Sequence, residues 1–105
     1  MTAPKLLVHR EILPPGRKTA PAHSHTMKEE MFIVESGEVS VLYLDRISKQ
    51  EKIEKMGPAS FFGFRPEDGI RMIFNASEVE AIIWTIGTNE AEDKIIFMDE
   101  AVNFF

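Results

Sequence analysis

Proline and glycine interrupt this chain so often that long helices have little room. They fall at Pro14-Pro15-Gly16, Pro21, Gly37, Gly57-Pro58, Gly63, Pro66, Gly69 and Gly87. Between them lie short runs rich in β-branched and aromatic residues: KLLVHREIL (5–13), EEMFIVE (29–35), EVSVLYLD (38–45), KIEKM (52–56), SFFGF (60–64), IRMIFN (70–75) and VEAIIWTIG (79–87). Such residues suit the pleated, half-buried surface of a strand. In EVSVLYL, Val39, Val41 and Tyr43 share one face while Ser40, Leu42 and Leu44 share the other. With both faces largely apolar, these strands suit two packed sheets or a closed barrel. The chain is therefore predicted to be all-β.

The connections carry turn chemistry. Ser36-Gly37 between two strand runs predicts a tight hairpin, Asp45 to Glu51 a polar connection, and Pro66-Glu67-Asp68-Gly69 a turn. In the tail AEDKIIFMDEAVNFF, residues 95–98 fit either a further strand or one helical turn. A length of 105 residues fits one domain, 1–105. The absence of cysteine excludes disulfides, thiolate metal sites and cysteine nucleophiles. A net charge of −5, spread rather than blocked, argues against nucleic acid or an anionic membrane as partner. No apolar run approaches the roughly 20 residues of a membrane span, and the first residues lack a signal-peptide core. A cytoplasmic protein is the expectation.

Chemistry concentrates in AHSHTMKEEMFIVESG, residues 22–37, which holds two of the three histidines. His23 and His25 are one residue apart, so on an extended chain both rings project from one face, roughly 6–7 Å apart at Cα. Glu30 opens the following strand run, and a returning chain brings its carboxylate beside them. Two neutral imidazoles and one carboxylate form a facial ligand set with open coordination positions. The competing reading is a pair of solvated histidines in a polar loop. Glu29 shares parity with Met31, Ile33 and Glu35, opposite Glu30, which makes Glu30 the better ligand. Phe32, on the Glu30 side, and Trp84 are candidates for the walls of a ligand pocket; core packing explains Phe32 equally well, and barrel core or a subunit interface is the stronger reading of Trp84.

The spacing Gly16–x6–His23–x–His25–x4–Glu30–x6–Gly37 resembles the first signature motif of the cupin superfamily, with one extra residue after Gly16. FFGFRPEDGIRMIFNAS is similar to the second, with Pro66 and Asn75 at the expected separation. The resemblance covers about residues 5–87 and leaves 88–105 as a C-terminal extension. It implies a double-stranded β-helix, or jelly-roll, barrel whose motif residues line its wider mouth. It also implies His23, His25 and Glu30 as ligands of a divalent transition metal such as Fe, Mn, Ni or Zn.

Two departures stand out. Asp68 occupies the place of the second motif's glycine, with Gly69 beside it. Arg71 occupies the place of its histidine, normally the fourth ligand. Arginine stays protonated and has no lone pair for a cation. Here it would repel an ion, pair with Glu30, or bind a carboxylate or phosphate on a substrate. The resulting expectation is a small cupin that binds a divalent ion and acts on a small polar or anionic molecule, with Arg71, Asn75, Phe32 and Trp84 around the substrate. The alternatives are a metal-free ligand-binding or sensor module with Arg71 as anion anchor, and a metal-free sugar-modifying enzyme with a histidine base. A homodimer is expected, through the apolar first strand and Phe104-Phe105.

Overall fold

The computed structural model describes residues 4–45 and 47–97. Its strands are β1 (Leu6–Leu13), β2 (His23–His25), β3 (Glu30–Ser36), β4 (Val39–Leu44), β5 (Glu51–Met56), β6 (Phe61–Phe64), β7 (Arg71–Phe74), β8 (Ala81–Thr88) and β9 (Ile95–Phe97). They form two antiparallel sheets, ordered β1-β8-β3-β6 and β5-β4-β7-β2-β9. The only helical piece among the described residues is a 3-10 turn at Pro66–Asp68, inside the predicted turn. The all-β expectation holds, and the seven strand runs read from the sequence all form strands.

Alternation sorts each strand between the core and the outside. Val39 and Val41 of β4, Ile73 of β7, Val34 of β3, and Ala81 and Ile83 of β8 are all buried in one cluster between the sheets. Each large apolar side chain so buried contributes roughly 1.5–3 kcal/mol relative to exposure. The opposite face of β4 and β7 holds a smaller cluster, Leu42 and Met72, against Ala22, Ile70 and Phe74. Both faces of β4 are thus buried, as its two apolar parities require.

Two local expectations are revised. Ser36-Gly37 does not close a hairpin, because β3 pairs with β6 and β8 whereas β4 pairs with β5 and β7. The turn instead carries the chain from one sheet to the other. Gly37 has φ +75°, and a Cβ there would lie 2.5 Å from the Glu80 carbonyl oxygen, so glycine answers to both conformation and space. The true hairpin is β4–β5, in register from Val39↔Met56 to Leu44↔Glu51. The tail's ambiguity resolves as a strand: β9 pairs with β2, His23 opposite Phe97 and His25 opposite Ile95. Met98, Phe104 and Phe105 lie outside the described residues.

Candidate metal centre

Both sheets contribute to the site. β2 presents His23 and His25 from one face, as the one-residue spacing dictates. Arg71 of β7 stands directly opposite His23 in the register. Glu30 opens β3 in the facing sheet, between Phe64 and Gly87. Their ligand atoms converge, so that one from each of His23, His25 and Glu30 all lie within 4.8 Å of one another.

Hydrogen bonding fixes which ring nitrogens face inward. Nδ1 of His23 lies 2.8 Å from the Pro21 carbonyl oxygen. A carbonyl only accepts, so Nδ1 carries the proton and Nε2 keeps its lone pair. Burial lowers the His23 pKa, and the Arg71 and His25 charges add to this, against the Pro21 carbonyl and Glu30, which raise it. His23 is therefore held in its neutral form, with a lone pair free to ligate. His25, buried, has Nδ1 2.7 Å from Oδ2 of Asp93 and Nε2 3.0 Å from Oε1 of Glu30. The gap between Nε2 and Glu30 joins two atoms with lone pairs, and a proton or a metal cation must occupy it.

Asp93 is the residue of this cluster that motif reading misses. It sits in the turn before β9, where its Oδ1 accepts the backbone N–H of Met27 and of Lys28, each at 2.9 Å. Burial pushes its pKa up, but the His25 N–H and these two amides outweigh that and hold it down, at about 2. A carboxylate behind a ligating imidazole orients the ring and raises its basicity. Nothing in the sequence flags Asp93 among the acids of EAED, because its role arises from the pairing of β9 with β2.

Arg71 is 2% exposed. Its Nη2 donates to Oε1 of Glu30 at 2.5 Å, its Nη1 to the Gly69 carbonyl at 3.4 Å, and its guanidinium lies 5.0 Å from the Phe64 ring centroid. Of the three roles open to it, the structure brings about the pairing with Glu30. A carboxylate offers roughly four acceptor sites, so this pairing leaves Glu30 room for an ion.

The remaining candidates divide. Phe32 lines a cavity of about 350 Å³ together with His23, His25, Glu30, Arg71 and, from β1, His9. Asn75 does not reach it. Fully buried, Asn75 donates to the carbonyls of Leu13 and Val79 and accepts from the amide and hydroxyl of Ser77, which uses its capacity in tying β7 to the start of β8. Trp84 is also elsewhere. Ala81, Ile83 and Gly87 are the buried residues of β8, so Trp84 lies on the outer face, where its indole N–H donates to Glu35 and Arg10 stacks on its ring. Both parities of this strand are apolar, so alternation alone does not say which one turns inward.

No family model matches the chain, and no curated protein matches it in sequence. Solved structures do. A sugar phosphate isomerase from a cupin superfamily, of Silicibacter pomeroyi, superposes with TM-score 0.78 at 20% identity, over 91% of this chain and 58% of that one. A cupin protein of Bacteroides fragilis gives TM-score 0.68 at 21% identity, over 86% and 70% of the two chains. The chain has the cupin fold. An oxalate oxidase shares it with TM-score 0.73 at 20% identity, over 90% of this chain and 46% of its own. The present chain thus spans little more than half of that isomerase and less than half of that oxidase, and at these identities the likeness concerns the fold. Within that fold, the two-histidine, one-glutamate set of this chain is a donor set that suits a divalent transition ion.

Proposed function

We propose that this cupin binds a divalent transition metal through His23, His25 and Glu30 and acts on a small polar or anionic molecule. The observation that carries this reading is the convergence of the three ligand atoms, with Asp93 behind His25. An ion of the Fe, Mn, Ni or Zn class would supply Lewis acidity or a site for a further ligand. The chain's own groups do the rest. Asp93 holds the His25 ring, the Pro21 carbonyl holds His23, and Arg71 holds the Glu30 carboxylate in place. Phe32 supplies an apolar wall, and a cavity of about 350 Å³ sits at the small end of ligand pockets. Arg71 balances Glu30, so a divalent ion leaves the centre net positive, which favours an anionic substrate. The isomerase and the oxalate oxidase that share the fold act on molecules of this kind, as their names state.

A second reading is a metal-free ligand-binding module. The Arg71–Glu30 contact supports it, because the carboxylate already has a cation. Elemental analysis of protein purified without a histidine tag, repeated on His25→Ala, separates the two. Near-stoichiometric metal lost in the variant supports the first reading. Absence of metal, with no thermal shift on adding divalent ions, supports the second.

The homodimer and the cytoplasmic setting belong to the same proposal. No helix among the described residues is long and apolar enough to cross a membrane. The outer face of the β1-β8-β3-β6 sheet carries exposed Leu6, Val8, Ile12, Met31 and Phe61 around the Arg10–Glu35 ion pair. A second copy related by a two-fold axis would set each cation–carboxylate pair against its equivalent.

A further inference from the structure

The cavity wall holds a cation that the metal centre does not use. Lys28 lines the cavity alongside His23, His25, Glu30 and Arg71. Arg71 is engaged with Glu30, whereas no carboxylate among the described residues pairs with the Lys28 ammonium. The residue is half-buried, and an ammonium partly removed from water without a counter-charge is costly.

Its position is nevertheless well defined. The Lys28 amide donates to Oδ1 of Asp93, while Oδ2 of the same carboxylate takes Nδ1 of His25. One side chain thus sets the distance between Lys28 and the candidate ligands. The Lys28 stem also lies in space that Gly87 leaves open. A Cβ at Gly87 would come within 2.5 Å of Lys28 Cε and 3.2 Å of Nζ. Gly87 is the β8 residue paired with Glu30, so the ammonium is laid across the strand beside the third ligand.

We propose that Lys28, seated over Gly87, is the anion anchor of the cavity and takes the carboxylate or phosphate oxygens of the substrate. This rests on the reading that the cavity accepts a small anion, and it moves the anchor from Arg71, which is buried against Glu30, to the unpaired cation. A lysine suits this work as a compact point charge with three donors, and it serves either kind of oxyanion.

The test is calorimetric titration of inorganic phosphate and of acetate into the full chain at low salt, for wild type, Lys28→Gln and Gly87→Ala, with metal content measured on each. The proposal expects binding of at least one anion by wild type and a loss of affinity of tenfold or more in Lys28→Gln, with a melting temperature no lower than wild type and metal content unchanged. Preference for phosphate identifies a phosphate ester as substrate class, and preference for acetate a carboxylic acid. Gly87→Ala, which displaces the side chain but keeps its charge, should weaken binding in the same direction. Wild-type protein that binds neither anion, or equal affinity in Lys28→Gln, overturns the proposal. Lys28-dependent binding by protein without metal would overturn the metal reading alone, and metal with Lys28-independent binding would do the reverse.

Discussion

His25 stands between two carboxylates, and each sets a different test. Asp93→Asn keeps the shape but weakens the acceptor behind the ring, and should lower metal affinity by about 10- to 100-fold. A metal titration that shows no change would remove Asp93 from the centre. Arg71→His places an imidazole opposite His23 and releases Oε1 of Glu30 from its guanidinium. Metal affinity should rise at least about tenfold. The metal-free variant should lose about 3–5 kcal/mol, because a buried carboxylate is left without its partner. Added metal should restore its melting temperature, and failure of that rescue would count against Glu30 as a ligand. The convergence of His23, His25 and Glu30 was legible because one intervening residue puts both imidazoles on one face of any extended chain, and Glu30 shares the parity of Phe32. Asp93 lies 68 positions from His25 and was not legible, since only tertiary pairing brings it there. Trp84 was misplaced for a related reason: Ile82 and Ile86 on its side look as apolar as Ala81 and Ile83 on the other.

Among the elements, the seven longer strands could be read because each carries enough β-branched and aromatic residues to announce itself. β2 and β9, at three residues each, hold too few to show a period. Gly37 illustrates a correct residue with the wrong connection. Its positive φ was foreseeable from Ser36-Gly37, but which strands it joins depends on sheet membership, which local sequence does not encode. Gly37→Ala should cost roughly 1–2 kcal/mol from the left-handed conformation, plus the contact with the Glu80 carbonyl. A melting temperature lowered by at least about 4 °C is expected, and an unchanged value would mean the corner relaxes freely. The β4–β5 hairpin has its own pH dependence. Asp45 accepts the amides of Ser48 and Ile47 and pairs with Lys52, and these contacts hold its pKa at about 2. Its folded pKa lies below the unfolded value of about 3.9, so its stabilisation is present above that pH and disappears as the pH falls through about 2. Protection of the Ile47 and Ser48 amides, measured relative to the unstructured-chain exchange rate at the same pH, should fall over that interval in wild type, and Asp45→Asn should remove that fall.

For the whole molecule, the proposed dimer surface is the outer face of β1, where Leu6, Val8 and Ile12 flank Arg10. In the structure Leu13 is buried while Leu6, Val8 and Ile12 are exposed. This exposed face is the surface that the proposed homodimer would cover. Val8→Lys should convert a dimeric mass to a monomeric one by light scattering at micromolar concentration, with metal content unchanged. A wild-type monomer would remove the dimer from the proposal. Asp93 has a consequence at this scale too. Its carboxylate ties His25 to the segment leading into β9, and β9 is an edge strand of its sheet among the described residues. In the proposed metal-bound form, occupancy of the centre and attachment of β9 are two readings of one equilibrium, and linkage makes them reciprocal. Whatever factor the ion adds to the grip on that strand, a pull that detaches the strand must take from the affinity for the ion.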